Sequence, residues 1–261
     1  MYKQSKDVTE LLEFLSWRRP AGSATERAWI AQCIRPLGVN QDARGNLFKR
    51  LPGNDALLWS SHTDTVHKDG GRQTAILERG IIHLAGAGNC LGADCAAGAW
   101  LMAQMVRSGV GGLYIWHRAE ECGGIGSGHI ADHSPEVLDG IKFAIAFDRR
   151  GTESIVTHQM WGRTCSDTFA WSLADALGMG HKPDDSGLFT DTANYSSLVP
   201  ECTNISTGTK DEHRPTESLD INYLLSLRDA VCSADFSGLT AERIPEESDY
   251  RSDYFNGTSI Y

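Results

Sequence analysis

The feature that most constrains this chain is where its histidines and carboxylates fall relative to its apolar runs. ALLWSS (56–61) leads into His62-Thr63-Asp64, GLYIWHRA (112–119) into the adjacent pair Glu120-Glu121, and KFAIAF (142–147) into Asp148. Asp94 sits in a Gly-rich turn, LGADCAAG, directly ahead of an Ala-rich stretch, and His213 comes later in DEHRPTESL. Short apolar runs bounded by turn residues read as buried strands. In an open α/β sheet the carboxyl ends of such strands gather polar groups along one edge. Residues far apart in sequence are thereby expected in one place.

The remaining elements fit that frame. Residues 7–18 carry apolar positions at helical spacing, and Ser23 with Glu26 three residues on predicts the start of a second helix running to about Pro36. A DARGN turn (42–46) leads into the strand NLFKRL, and 73–84 read as a hairpin around Arg79-Gly80. Helices are expected at 95–107, 164–177 and 217–235, and a last strand at 202–207. This alternation predicts an α/β fold, a three-layer α/β/α sandwich around a mostly parallel mixed central sheet. With no linker or repeat in view, residues 1–243 are expected to form one domain, and 244–261 a polar C-terminal tail.

Composition narrows the partners. A formal charge of −10 argues against nucleic acid or an anionic membrane as the main partner. No apolar run approaches the ~18 residues a spanning helix needs, and the first residues, MYKQSKDVTELLEF, lack the apolar core of a signal peptide. Seven scattered cysteines without a CxxC pair argue against a thiolate zinc site and suit a reducing, cytoplasmic location.

Each chemical motif has a bland reading beside the sharp one. His62 and Asp64 alternate along a strand end and so point the same way, yet HxD is common by chance. Asp94 at a turn–helix junction is a natural N-cap, or a carboxylate offering one oxygen to each of two cations. Glu120 and Glu121 repel each other unless cations absorb the charge. With a cation present, one can ligate while the other handles a proton; otherwise they are a solvated pair in a loop. Asp148 alone is a strand's exit into solvent, and His213 alone a surface histidine. Taken together, two imidazoles and three carboxylates suit two Zn²⁺ ions sharing one bridging carboxylate, with Co²⁺ or Mn²⁺ as substitutes.

The segments SSHTDTV, LGADCAAGAW, HRAEECGGIGSG, FAIAFDRRG and DEHRPTESLD together resemble the co-catalytic di-zinc exopeptidases, the group of bacterial leucyl aminopeptidases, tripeptidases and glutamate carboxypeptidases. The resemblance spans roughly residues 7–235. It implies that His62 and Asp148 hold one zinc, Glu121 and His213 the other, and that Asp94 bridges them. It implies Asp64 as the acid beside His62, and Glu120 as the general base that takes a proton from the attacking water and returns it to the leaving amine. It also implies a cis Asp94–Cys95 peptide bond, with Cys95 a packing residue. An aspartate at 148 is closer to the aminopeptidase and peptidase members. Larger relatives carry a dimerisation domain of ~100 residues between the fourth and fifth ligands; the stretch 149–212 is already needed for core elements, so a compact form is implied.

Secondary signals are weaker. GAGNCLG and GGIGSG lack the spacing of a dinucleotide loop. His129 and His133 can pair on one helix face. Arg149, next to a ligand, is a candidate clamp for a substrate carboxylate, and Arg150 shares that position. Within SGLFTDTANY (186–195), Asp191 is a candidate acceptor for a free α-amine, and Phe189 and Tyr195 are candidate pocket walls. The leading expectation is an aminopeptidase-like exopeptidase acting on small peptides. Alternatives are a carboxypeptidase-like deacylase of N-acyl amino acids, or a metal-binding module without catalysis. Oligomeric state stays open.

Overall fold

The computed structural model describes residues 5–160 and 162–245, so most of the expected C-terminal tail lies outside the described residues. Its centre is an eight-stranded mixed sheet. From one edge to the other the strands are Lys182–Asp184, Ser154–Val156, Glu201–Ser206, Phe143–Arg149, Leu57–His62, Gly112–His117, Leu47–Leu51 and Asn40–Gln41. The four in the middle, from Glu201–Ser206 to Gly112–His117, run parallel to one another. The two outer strands on the N-terminal side are antiparallel additions.

Alternation along the strands builds a core on each face. Leu57, Trp59, Tyr114, Trp116, Ile145 and Phe147 pack with the helices Lys6–Leu15 (α1), Ala93–Ser108 (α3), Asp167–Leu177 (α5) and Ile221–Ser233 (α6). Leu58, Leu113, Ile115 and Ala144 face the other way, onto Ile130 of the helix Ile125–His133 (α4) and onto Tyr195 and Val199. Two buried faces and two helical layers make the three-layer sandwich. The residues between Asp148 and His213 supply three of its strands and α5.

Several boundaries differ from the sequence expectation, each through a long-range contact. The first helix stops at Leu15 rather than 18, because Trp17–Arg18 pair with Gly71–Arg72 as a short antiparallel ribbon. The second, Ala24–Trp29 (α2), is capped by Ser23 as expected, then loosens into a π turn and a 3₁₀ turn over 30–37. Glu26 bonds the N–H of Gly22, not that of its cap, and turns its other oxygen to Thr63 Oγ1. The helix expected from 164 begins at Asp167, capped by Ser166, since Thr164 and Cys165 bond back to Thr157. The closing helix begins at Ile221 rather than 217, because Ser218–Asp220 pair with Ile81–His83 of the predicted hairpin.

One close approach sets the geometry of the site. A Cβ at Gly98 would sit 2.0 Å from the carbonyl oxygen of Phe147. Only glycine lets α3 lie this close to the strand that ends in Asp148. The peptide bond Asp94–Cys95 at the head of α3 is cis. No helix among the described residues is long and apolar enough to cross a membrane, and none of the seven cysteines is paired.

Candidate metal centre

The carboxyl ends of the parallel strands bring the expected residues together. His62 ends its strand and Asp148 lies near the end of the neighbouring one; Glu120 and Glu121 follow the third after a turn in which Ala119 takes φ 56°. Asp94 enters from the head of α3. His213 arrives on the loop between Thr209–Lys210 and Ser218–Asp220, with Asp211 and His213 themselves in the left-handed region at φ 56° and 66°. Such backbone conformations cost non-glycine residues about 1–2 kcal/mol each and cluster where a side chain must be aimed.

Asp94 is the centre of the geometry. Its Oδ1 lies 2.9 Å from His62 Nε2 and its Oδ2 3.1 Å from His213 Nε2. His62 Nε2 is also 3.2 Å from Asp148 Oδ1, and His213 Nε2 is 3.0 Å from Glu121 Oε1. The cluster therefore divides into two halves, His62 with Asp148 and His213 with Glu121, and each half takes one oxygen of the same carboxylate. Asp64 stands behind them, completely buried. It faces His62 Nδ1 at 3.4 Å and accepts the backbone N–H groups of Glu120 and Glu121 at 3.1 and 3.2 Å.

The electrostatics show what kind of ligand the cluster suits. Burial pushes the Glu120 carboxyl up to about 10, with the acids around it adding to the effect. Burial and the neighbouring Asp94 likewise hold Asp148 well above the usual carboxylate range. Asp94 is held well below that range: burial opposes this and is outweighed by hydrogen bonds with Asp148, His213 and His62. Hydrogen bonds to Asp94 and Glu121 raise His213 to about 11. His62 is raised as well, Asp148 and other anions overcoming a burial that works the other way. Two imidazoles thus stand among five acids, with Glu121 Oε1 shared only with His213 and His62 Nδ1 facing Asp64. A donor set of imidazole nitrogens and carboxylate oxygens with uncompensated charge fits divalent cations.

Cys95 Sγ lies near His62 and Asp148, but it donates to the Phe147 carbonyl at 3.1 Å and burial holds its thiol far above the thiolate range. It is a packing group.

Several supporting residues had no distinct sequence signal. Glu217, expected to open a helix, is buried, and its two oxygens accept the N–H groups of Leu91, Gly92, Ala93 and Asp94. It fixes the turn that carries Asp94. Asn204 accepts the Asp148 N–H, and Thr190 donates to Asp148 Oδ2. Only contacts across the fold reveal these three.

The substrate candidates fare differently. A cavity of about 340 Å³ is lined by Asp94, Glu120, Glu121, Asp148 and His213 together with the apolar residues Val156, Leu188 and Phe189. Phe189 lines it as expected. Tyr195 does not: it is fully buried and bonds His117 Nε2 at 2.7 Å. Asp191 is also buried, 3.3 Å from His117 Nδ1, and is not among the cavity's walls, so it is not placed to receive a substrate amine. Arg149 borders the cavity, but its Nη2 is engaged with Asp184 at 2.9 Å and Ser186 at 2.8 Å. That engagement replaces the clamp role expected of it. His129 and His133 stack with ring centroids 4.7 Å apart on α4, and neither is among the cavity's walls.

No family model matches this chain, and no curated protein matches it. Solved structures do. A tripeptidase from Staphylococcus aureus superposes with a TM-score of 0.72 at 15% identity, over 87% of this chain and 96% of the other. The aminopeptidase PepT from Bacillus cereus gives 0.67 at 16% over 87% and 96%, and an aminopeptidase from the archaeon Desulfurococcus kamchatkensis gives 0.66 at 13% over 87% and 93%. The chain has the α/β fold of these peptidases.

Proposed function

We propose that this chain is a two-zinc exopeptidase of the aminopeptidase type, releasing residues from small peptides. The observation that carries the reading is Asp94, whose two oxygens face the Nε2 atoms of two histidines belonging to separate halves of one cluster. The solved structures of like fold are named as aminopeptidases and a tripeptidase, and the reading carries their activity to this chain.

His62 and Asp148 would hold one ion, His213 and Glu121 the other, with Asp94 shared. Bound there, the ions supply Lewis-acid polarisation of the scissile carbonyl and lower the pKa of the attacking water. The chain's own groups do the rest. Glu120 takes the water's proton and returns it to the leaving amine. Its burial keeps that proton exchange away from bulk solvent, and nearby cationic charge brings its raised pKa down toward neutrality. By accepting both backbone N–H groups, Asp64 fixes the 120–121 peptide, so that one glutamate faces the ions and its neighbour the substrate. Facing His62 Nδ1, the same carboxylate leaves Nε2 free to ligate. The wall of Val156, Leu188 and Phe189 receives an apolar side chain and displaces water from it.

The test is Glu120→Gln. Metal content of the purified protein stays that of the wild type while turnover of aminoacyl-anilides and short peptides falls by at least about a thousandfold, the range of a lost general base acting with its neighbours. Retained turnover removes Glu120 from the mechanism. Activity on N-acyl amino acids but not on free-amine substrates would replace the aminopeptidase reading with the deacylase one.

A further inference from the structure

The cavity over the cluster is not a closed pocket. Arg149, Arg150 and Glu212 belong both to its wall and to that of a larger groove, of about 730 Å³, which continues past Gly151, Lys210 and Arg214. Apart from His213, the ionisable groups lining the smaller cavity are five acids and these two arginines. Arg149 and Arg150 are therefore the guanidinium groups that an anionic group entering it meets.

The two arginines are not equivalent. Arg149 is committed to Asp184 and Ser186, with its side chain 11% exposed. The Arg150 side chain is 55% exposed and holds a single partner, Glu212 Oε1 at 2.9 Å from Nη1. Among the described residues its remaining donors make no hydrogen bond. An exposed ion pair of this kind contributes at most about 1 kcal/mol, whereas a carboxylate seated two-pronged on a guanidinium forms a stronger, geometrically defined pair. The groove's other acids do not compete there. Asp220 caps α6 through the N–H groups of Asn222 and Tyr223, and neither Glu153 nor Asp211 pairs with Arg150.

We propose that Arg150, at the junction of cavity and groove, is the subsite for the terminal carboxylate of a short peptide, which makes di- and tripeptides with a free C-terminus the favoured substrates. The inference rests on the exopeptidase reading and specifies its substrate. Arg150 lies two residues beyond Asp148, and an extended peptide advances about 3.3–3.6 Å per residue. Arg150 lines the same cavity of about 340 Å³ as Asp94, Glu120, Glu121, Asp148 and His213, so a carboxylate held on it shares that cavity with the reacting bond of a short peptide. On binding, the substrate carboxylate takes the place of Glu212 on the guanidinium, one charge-assisted pair exchanged for another.

The experiment compares kcat/KM for a tripeptide and its C-terminal amide on zinc-loaded wild type, Arg150→Gln and Glu212→Gln. The subsite predicts that wild type prefers the free acid by roughly tenfold or more, the worth of one charged hydrogen-bonded contact. It predicts a ratio near one in R150Q, carried by KM, and a ratio in E212Q at least that of the wild type, since the competing carboxylate is gone. A merely structural ion pair predicts that the two variants behave alike. Equal rates on acid and amide in the wild type, or parallel losses in both variants, overturn the subsite and leave the exopeptidase reading standing. No hydrolysis of either peptide by the metal-loaded wild type overturns both.

Discussion

At the scale of single residues, the cluster's oddity is its protonation. Without ions, His213 is held cationic by hydrogen bonds to Asp94 and Glu121, with its pKa raised to about 11. The sign of the consequence follows. A histidine raised in the folded state contributes stability that is fully present below its unfolded pKa of about 6.5 and is lost as pH rises through about 11. An ion needs the neutral imidazole, so metal uptake expels this proton and metal affinity rises with pH across the neutral range. Calorimetry of zinc binding to the stripped protein at pH 7, in two buffers of different ionisation enthalpy, is expected to show net proton release. Heats independent of the buffer would mean the histidines are already neutral. These residues were legible in the sequence because residue type agreed at all of them and strand-end position at His62, Glu120-Glu121 and Asp148. Glu217 was not: its meaning lies in four backbone N–H groups more than a hundred positions away. A carboxylate in a polar stretch before a helix carries no mark of such a partner.

At the scale of elements, α3 and the strand Phe143–Arg149 are the pair that matters, since Asp94 rides on one and Asp148 on the other. Gly98 sets their separation. Gly98→Ala places a methyl against the Phe147 carbonyl and must push the head of α3 outward. The expected result is a loss of about 1–3 kcal/mol in stability, together with zinc that dialyses away under conditions where the wild type retains it. Urea denaturation and metal content measure the two. Unchanged metal retention alongside lost stability would uncouple helix packing from the site. Strands were the legible elements, as they are the buried apolar runs, and helix starts were legible where a serine caps them, at Ser23. Helix boundaries failed where distant strands captured the end of a predicted helix, as at Trp17–Arg18 and Ser218–Asp220. Local periodicity carries no information about such pairing.

For the whole molecule, four parallel strands with helices on both faces confine the free strand ends to one edge, and five separate segments of chain deliver the cluster's seven groups to it. That arrangement holds in a chain with little sequence likeness to the peptidases of its fold. It also makes the account stand or fall on a shared carboxylate. Anomalous diffraction at the zinc absorption edge, from crystals of the zinc-loaded protein, tests this most directly. Two peaks are predicted, one between Asp94 Oδ1, His62 and Asp148 and the other between Asp94 Oδ2, His213 and Glu121. A single peak, or zinc bound elsewhere with the cluster empty, would contradict it.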